Sequence, residues 1–178
     1  MKKRVLLFLA AIIICCAGLV GNTVAWLYAK TSVTNTFVSG DISITLSETT
    51  GSYYQLIPGA TIAKDPKLTV HKKSEHCWVF IKIEGSADIS DYISYEIASG
   101  WTMLEEGVYY REHAIYTIDV EYPILKDDVI NVKDSVTEAD EAYLKDNGIF
   151  PLLSFKAYAV QCLGFDTPHD AWQEAKKL

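Results

Sequence analysis

Beyond Phe37, apolar and polar residues alternate with a period of two through much of the chain, the mark of strands with one buried face. Ile42, Ile44 and Leu46 alternate with Asp41, Ser43 and Thr45, and Leu68 and Val70 alternate with Lys67 and Thr69. The strongest segment is Cys77 to Ile83. There Cys77, Val79, Ile81 and Ile83 share one face while Trp78 and Phe80 take the other, which predicts a central strand buried on both sides over its first half. A second strong strand is predicted over Leu153 to Leu163, where Phe155, Ala157, Ala159 and Gln161 alternate with Lys156, Tyr158, Val160 and Cys162. Weaker patterns predict strands over Tyr92 to Ile97, Ala114 to Val120 and Val129 to Val132, and Pro123 argues against a central strand at that point.

The connections carry their own signals. In Leu56-Ile57-Pro58-Gly59, Pro58 presets φ at the second position of a turn and Gly59 accepts the positive φ that a type II turn needs at the third. Trp101 to Leu104 and Val108 to Arg111 flank Glu105-Glu106-Gly107 and read as a hairpin whose glycine supplies the turn. Helical signals are few. Thr137 to Lys145 is a short, charged segment stopped by Asn147-Gly148. Near the C-terminus Thr167 is an N-cap, Pro168 takes the first helical position, and Ala171, Trp172 and Ala175 give a narrow apolar stripe, so a helix is predicted near 168–177. Many short strands, few helices and no constant repeat predict an all-β, mainly antiparallel sandwich over residues 41–178.

The first forty residues follow a different rule. Lys2, Lys3 and Arg4 precede an uncharged, mostly apolar run from Val5 to Val20 that continues to Ala29, which is the layout of a secretory signal. Thr23-Val24-Ala25 places small or tolerated side chains at the two positions a signal peptidase reads, so cleavage is expected between Ala25 and Trp26, with Ala29 as a second choice. An uncleaved anchor reaching Ala29 is the alternative, since no side chain from Val5 to Ala29 is charged. Residues 26–40 then form an N-terminal arm, polar around Val33, before the first strand.

Composition narrows the class. Without Lys2, Lys3 and Arg4 the 16 basic residues fall to 13 against 23 acidic ones, taking the formal charge from -7 to -10. An acidic exported domain has no electrostatic reason to bind nucleic acid or anionic lipid, and contact with the membrane is expected only through an uncleaved leader. Cys15 and Cys16 lie within the apolar run, leaving Cys77 and Cys162 in the exported part. Outside the cell that pair permits a disulfide, which would stabilise by about 4 to 5 kcal/mol in the chain-entropy model; two free thiols are the alternative.

Spacing offers little chemistry. None of His71, His76, His113 and His169 has the HExxH spacing that sets two imidazoles around zinc. His71 and His76 have opposite parity about a polar loop and meet only through a turn; solvated loop histidines are the expectation. There is no glycine-rich phosphate loop and no GxSxG elbow. Glu105-Glu106 and Asp127-Asp128 are adjacent pairs that fit solvated turns, because neighbouring strand residues point to opposite faces and cannot share a proton. No catalytic residue, cofactor or metal is therefore expected.

Thr23-Val24-Ala25-Trp26-Leu27 followed by Asn35-Thr36-Phe37-Val38-Ser39-Gly40 resembles the start of the TasA and camelysin group of exported proteins, whose signals are cut by the peptidase SipW. Leu56-Ile57-Pro58-Gly59 with Lys64-Asp65-Pro66 is similar to that group's turn pair, and Ser74 to Lys82 resembles the strand that follows. Phe155 to Gln161 and the Asp166 to Leu178 segment look like the end of the clostridial biofilm-surface branch; the likeness thins between Gly85 and Val136. The resemblance implies a jelly-roll-like sandwich, secretion to the extracellular matrix or cell surface of a Gram-positive bacterium, processing by a SipW-like signal peptidase, and self-association into fibres.

In TasA-type fibres the N-terminal segment of one subunit completes a sheet of the next, so the resemblance implies that Trp26, Leu27, Tyr28, Val33 and Phe37 belong to a polymerisation arm. The residues agree to the extent that strand addition needs an extended, Pro-free segment, and Trp26 to Val38 is one. A non-enzymatic fibre subunit is the expectation. Two alternatives stand beside it: a camelysin-like surface metalloprotease, for which this sequence has no recognisable zinc motif, and a monomeric binding module tethered by the leader.

Overall fold

The computed structural model describes residues 26–28, 41–50, 53–86, 89–147 and 151–177. Among the described residues twelve strands run in chain order: β1 (Trp26–Tyr28), β2 (Ile44–Ser47), β3 (Tyr53–Gln55), β4 (Thr61–Ala63), β5 (Lys67–Val70), β6 (Cys77–Gly85), β7 (Ile93–Ser94), β8 (Thr102–Glu105), β9 (Val108–His113), β10 (Val120–Pro123), β11 (Val129–Val132) and β12 (Leu153–Gln161). Three short helices, α1 (Ile89–Tyr92), α2 (Glu138–Asn147) and α3 (Pro168–Ala175), lie between or after them. Every strand pairing is antiparallel, so the all-β expectation holds.

One layer is the four-stranded sheet β12-β6-β9-β8, and facing it are β10-β5-β2 and β4-β11-β7. Ile44, Leu46, Leu68 and Val70 meet Val79, Ile81, Phe155, Ala157 and Ala159 in one apolar cluster, joined by Ile130 and Val132. Each such large side chain contributes about 1.5 to 3 kcal/mol by leaving water, which is why the alternating pattern fixes register: a one-residue slip would turn the whole set outward. As expected, β6 is central, and its second face is covered too. Phe80 packs on Trp172 of α3 with ring centroids 5.3 Å apart, and Tyr158 meets the same indole edge-on at 5.2 Å. Thr167 caps α3 by accepting from the Asp170 amide at 3.2 Å.

The Pro58-Gly59 turn forms as its residues predict, with Gly59 at φ 71° and the Ala60 amide donating to Ile57 O at 3.0 Å. Thr137 caps α2 in a reciprocal box with Asp140, and the helix runs to Asn147, two residues past the predicted Lys145. The β8–β9 hairpin turns at Gly107, φ 72°.

Two expectations change, while the reading that Pro123 argues against a central strand holds. Ala114 to Val120 is not a strand but a connection that leaves Ile115 and Ile118 each 67% exposed; alternation there reflected no buried face. The strand instead runs Val120–Pro123, and Pro123 is tolerated as the last residue of an edge strand, where a missing amide costs no ladder bond to a second neighbour. Tyr92 to Ile97 keeps only Ile93–Ser94 as strand plus an isolated bridge from Ile97 to Leu125, because Ile89–Tyr92 coils into one helical turn.

Candidate functional site

The cleavage residues Thr23 and Ala25, and Val33 and Phe37 of the expected arm, lie outside the described residues. Trp26, Leu27 and Tyr28 form β1, which pairs with β3 of the same chain in the register Trp26 to Gln55, Leu27 to Tyr54 and Tyr28 to Tyr53. The expected leading segment is thus in extended conformation, with a three-residue intramolecular ladder. Among the described residues no helix is long and apolar enough to cross a membrane.

A second edge of interest lies elsewhere, at β12. β12 pairs with β6 over nine consecutive positions without a bulge, and among the described residues no strand bonds to its other side. The Cys162 amide donates to His76 O and the Ser86 amide to Leu152 O, each at 2.9 Å. Hydrogen-bonded pairs recur at every second residue of an antiparallel ladder, so Ser154, Lys156, Tyr158 and Val160 turn their main-chain groups toward β6. Leu153, Phe155, Ala157, Ala159 and Gln161 therefore turn theirs outward. Other edge strands among the described residues are short: β8 has four residues and an irregular register between Met103 and Glu105, β2 has four, and β10 ends in proline. Short, bulged or proline-ended edges are the usual protection against unwanted pairing; β12 carries none of these devices.

Near the start of β12 sits the most buried charge in the described residues. Lys64 is fully buried, donates to Glu48 at 2.7 Å, and lies over the Phe155 ring at 5.6 Å. Its neighbour Asp65 collects the Thr49 and Thr50 amides, both at 2.9 Å, and both hydroxyls. Burial pushes the Asp65 carboxyl up, but these four hydrogen bonds together outweigh it and hold the group well below the usual carboxylate range. The Lys64-Asp65 dipeptide therefore fastens the 48–50 loop to the sandwich, which gives this stretch a structural task independent of any resemblance.

At the opposite end of the β6–β12 ladder two ion pairs lie at the surface. His71 bridges Asp119 (Nδ1 to Oδ2, 3.1 Å) and Thr45 (Nε2 to Oγ1, 2.8 Å), while His76 Nε2 donates to Glu112 Oε1 at 2.5 Å. The two imidazoles thus serve separate carboxylates. Cys162 stands beside the second pair, so that ligand atoms of His76, Glu112 and Cys162 all lie within 4.8 Å of one another.

Cys77 and Cys162 are both free thiols. Register explains why the permitted disulfide does not form: Cys77 lies opposite Gln161, so Cys162 lies one position on, with His76, and its side chain points to the other face of the sheet. Burial pushes the Cys77 thiol up to about 12, helped by Cys162, and burial with the Glu112 charge pushes Cys162 up to about 11. His113, opposite Cys77 on the core side, bonds the Tyr122 hydroxyl at 2.8 Å. Its burial, with the His76 and Arg111 charges, holds it below the usual imidazole value.

Of the acidic pairs, Glu105 is not merely solvated, since it accepts from Trp172 Nε1 at 2.7 Å and ties α3 to the hairpin. Asp127 and Asp128 sit in a tight turn at φ 56° and 55°. Sequence spacing had no means of finding the His76, Glu112 and Cys162 cluster, whose first two members are 36 residues apart and meet only through strand pairing. Comparison of the chain with protein-family models, with curated proteins and with solved structures gives no match.

Proposed function

We propose that the chain is an exported, non-enzymatic structural protein of a Gram-positive extracellular matrix, and that its copies join by strand addition, the N-terminal arm of one entering a sheet of the next. The observation that carries this reading is the outer edge of β12, nine residues long, unbulged, bonded to no strand among the described residues, and presenting the main-chain groups of Leu153, Phe155, Ala157, Ala159 and Gln161. An added strand gains main-chain hydrogen bonds worth about 0.5 to 1.5 kcal/mol each. The arm has the complementary property: residues 26–40 contain no proline, and the only pairing described for it, β1 with β3, spans three residues. So short a ladder exchanges at little cost for a longer intermolecular one. The resemblance of the leader and the two turns to the TasA and camelysin group supports the same reading and supplies the expected processing enzyme, a SipW-like peptidase.

Electron microscopy tests the assembly. Protein beginning at Trp26 forms fibres, and protein lacking residues 26–35 does not; fibres from both would rule out the arm as donor. Ala157→Pro removes an outward amide without removing a bond to β6, so it blocks fibres while circular dichroism stays that of a folded β protein. N-terminal sequencing of the exported form then decides whether a free arm exists in cells, and a retained leader would remove the donor.

A further inference from the structure

We propose that His76, Glu112 and Cys162 bind a zinc ion. The three come from three neighbouring places in one sheet: His76 immediately before β6, Glu112 on β9 and Cys162 immediately after β12. They share the face opposite the aliphatic core, because Glu112 pairs with Trp78 and Cys162 with His76, positions of equal parity on the β6 register. An imidazole nitrogen, a carboxylate oxygen and a thiolate are a ligand set that zinc accepts, with bonds of about 2.0 to 2.3 Å. Tetrahedral geometry at those lengths separates ligand atoms by roughly 3.3 to 3.6 Å, inside the 4.8 Å within which the three atoms already lie.

The closest approach, His76 Nε2 to Glu112 Oε1 at 2.5 Å, has to open by about an ångström. Both side chains are about half exposed and have room to do so. In the metal-free site a proton on Nε2 occupies the line between them, where the cation's own charge would stand. On binding, that proton moves to Nδ1, the Cys162 thiol gives its proton to water, and the ion gains a thiolate, a neutral imidazole and a carboxylate; no electrons are exchanged. A fourth position stays open to solvent, since three side chains fill only three corners. The ion joins the ends of β6, β9 and β12.

The ligand spacing has no counterpart in a helical HExxH site, so the inference neither needs nor supports peptidase activity, and it stands independently of strand addition. Titration of the purified chain with cobalt(II) tests it. Wild type takes up one ion, develops the ligand-field bands of a four-coordinate ion and a thiolate-to-cobalt charge-transfer band, and loses both on addition of zinc.

Cys162→Ser removes the charge-transfer band, and His76→Asn and Glu112→Gln each weaken zinc at least about tenfold in calorimetry. His71→Asn, at the neighbouring imidazole and carboxylate pair, leaves zinc affinity unchanged. Zinc raises the melting temperature of wild type by a few degrees and does not raise that of Cys162→Ser, while melts in chelator show that the variant folds. A charge-transfer band that persists in Cys162→Ser, no band in wild type, or an equal loss in His71→Asn would overturn the proposal.

Discussion

The two ends of the β6–β12 ladder hold similar contacts under opposite conditions. At one end Lys64 and Glu48 meet at 2.7 Å with side-chain exposures of 0% and 4%; at the other His76 and Glu112 meet at 2.5 Å with 49% and 55%. Distance makes them look alike, and burial separates them. Ions taken from water depend on each other, because removing either leaves a charge in low dielectric. Ions left in water lose little when a partner goes, since solvent screens the remainder. The buried end is consequently a fixed joint, and the exposed pair is held only weakly.

The largest effect expected from breaking this contrast is at the buried joint. Lys64→Met takes the cation from Glu48 and is expected to cost about 3 to 5 kcal/mol in urea unfolding. Pairing it with Glu48→Gln removes the buried charge that Lys64 balanced and recovers a large part of that loss; a double variant as unstable as the single one would show that Lys64 matters for packing on Phe155 and not for charge.

Acid separates the ends by pH. The folded His113 value is depressed, so the unfolded chain takes up that proton first, and its contribution is complete above about pH 6.5 and is lost as the pH falls below it. Asp65 is depressed as well, and its contribution is present above 3.8, the ordinary carboxylate value, and is lost only as the pH falls further. Unfolding followed from pH 8 to 2 is expected to lose stability in two stages: His113→Gln flattens the upper stage alone and Asp65→Asn the lower. Loss of both stages in one variant would mean the ends are coupled.

Smaller effects lie on the exposed side. Thr167→Ala removes the α3 cap and is expected to cost about 1 kcal/mol, read by thermal unfolding, with the packing of Trp172 on Phe80 and Tyr158 loosening first. In chelator, His76→Asn is expected to change stability by less than about 0.5 kcal/mol. A loss as large as that of Lys64→Met would erase the distinction between the two ends.

Much of the fold is legible in the chain, for identifiable reasons. β6 and β12 are long enough for alternation to outweigh noise, and their two-sided burial follows from Trp78 and Phe80 on the second face. The Pro58-Gly59 turn and the Thr167 cap are local, governed by one or two dihedral angles. The Ala114 to Val120 segment shows the limit of the same reasoning, since alternation predicts a strand only where a second sheet waits to cover it. The candidate sites were harder to read for the same reason. Nothing in the spacing of His76, Glu112 and Cys162 marks them as neighbours, and nothing in the β12 pattern says that no strand among the described residues would bond to one of its sides.

By itself, then, the order of residues determined which segments extend, which faces turn inward and where the chain reverses, because those depend on side-chain period and on backbone angles a few residues apart. Tertiary structure alone decided that Lys64 lies in the core against Glu48, that the two thiols stand on opposite sides of a sheet, and that an imidazole, a carboxylate and a thiol from distant segments converge. Contacts of that range are set by strand order and by which elements reach each edge, and these are properties of the whole assembled sandwich.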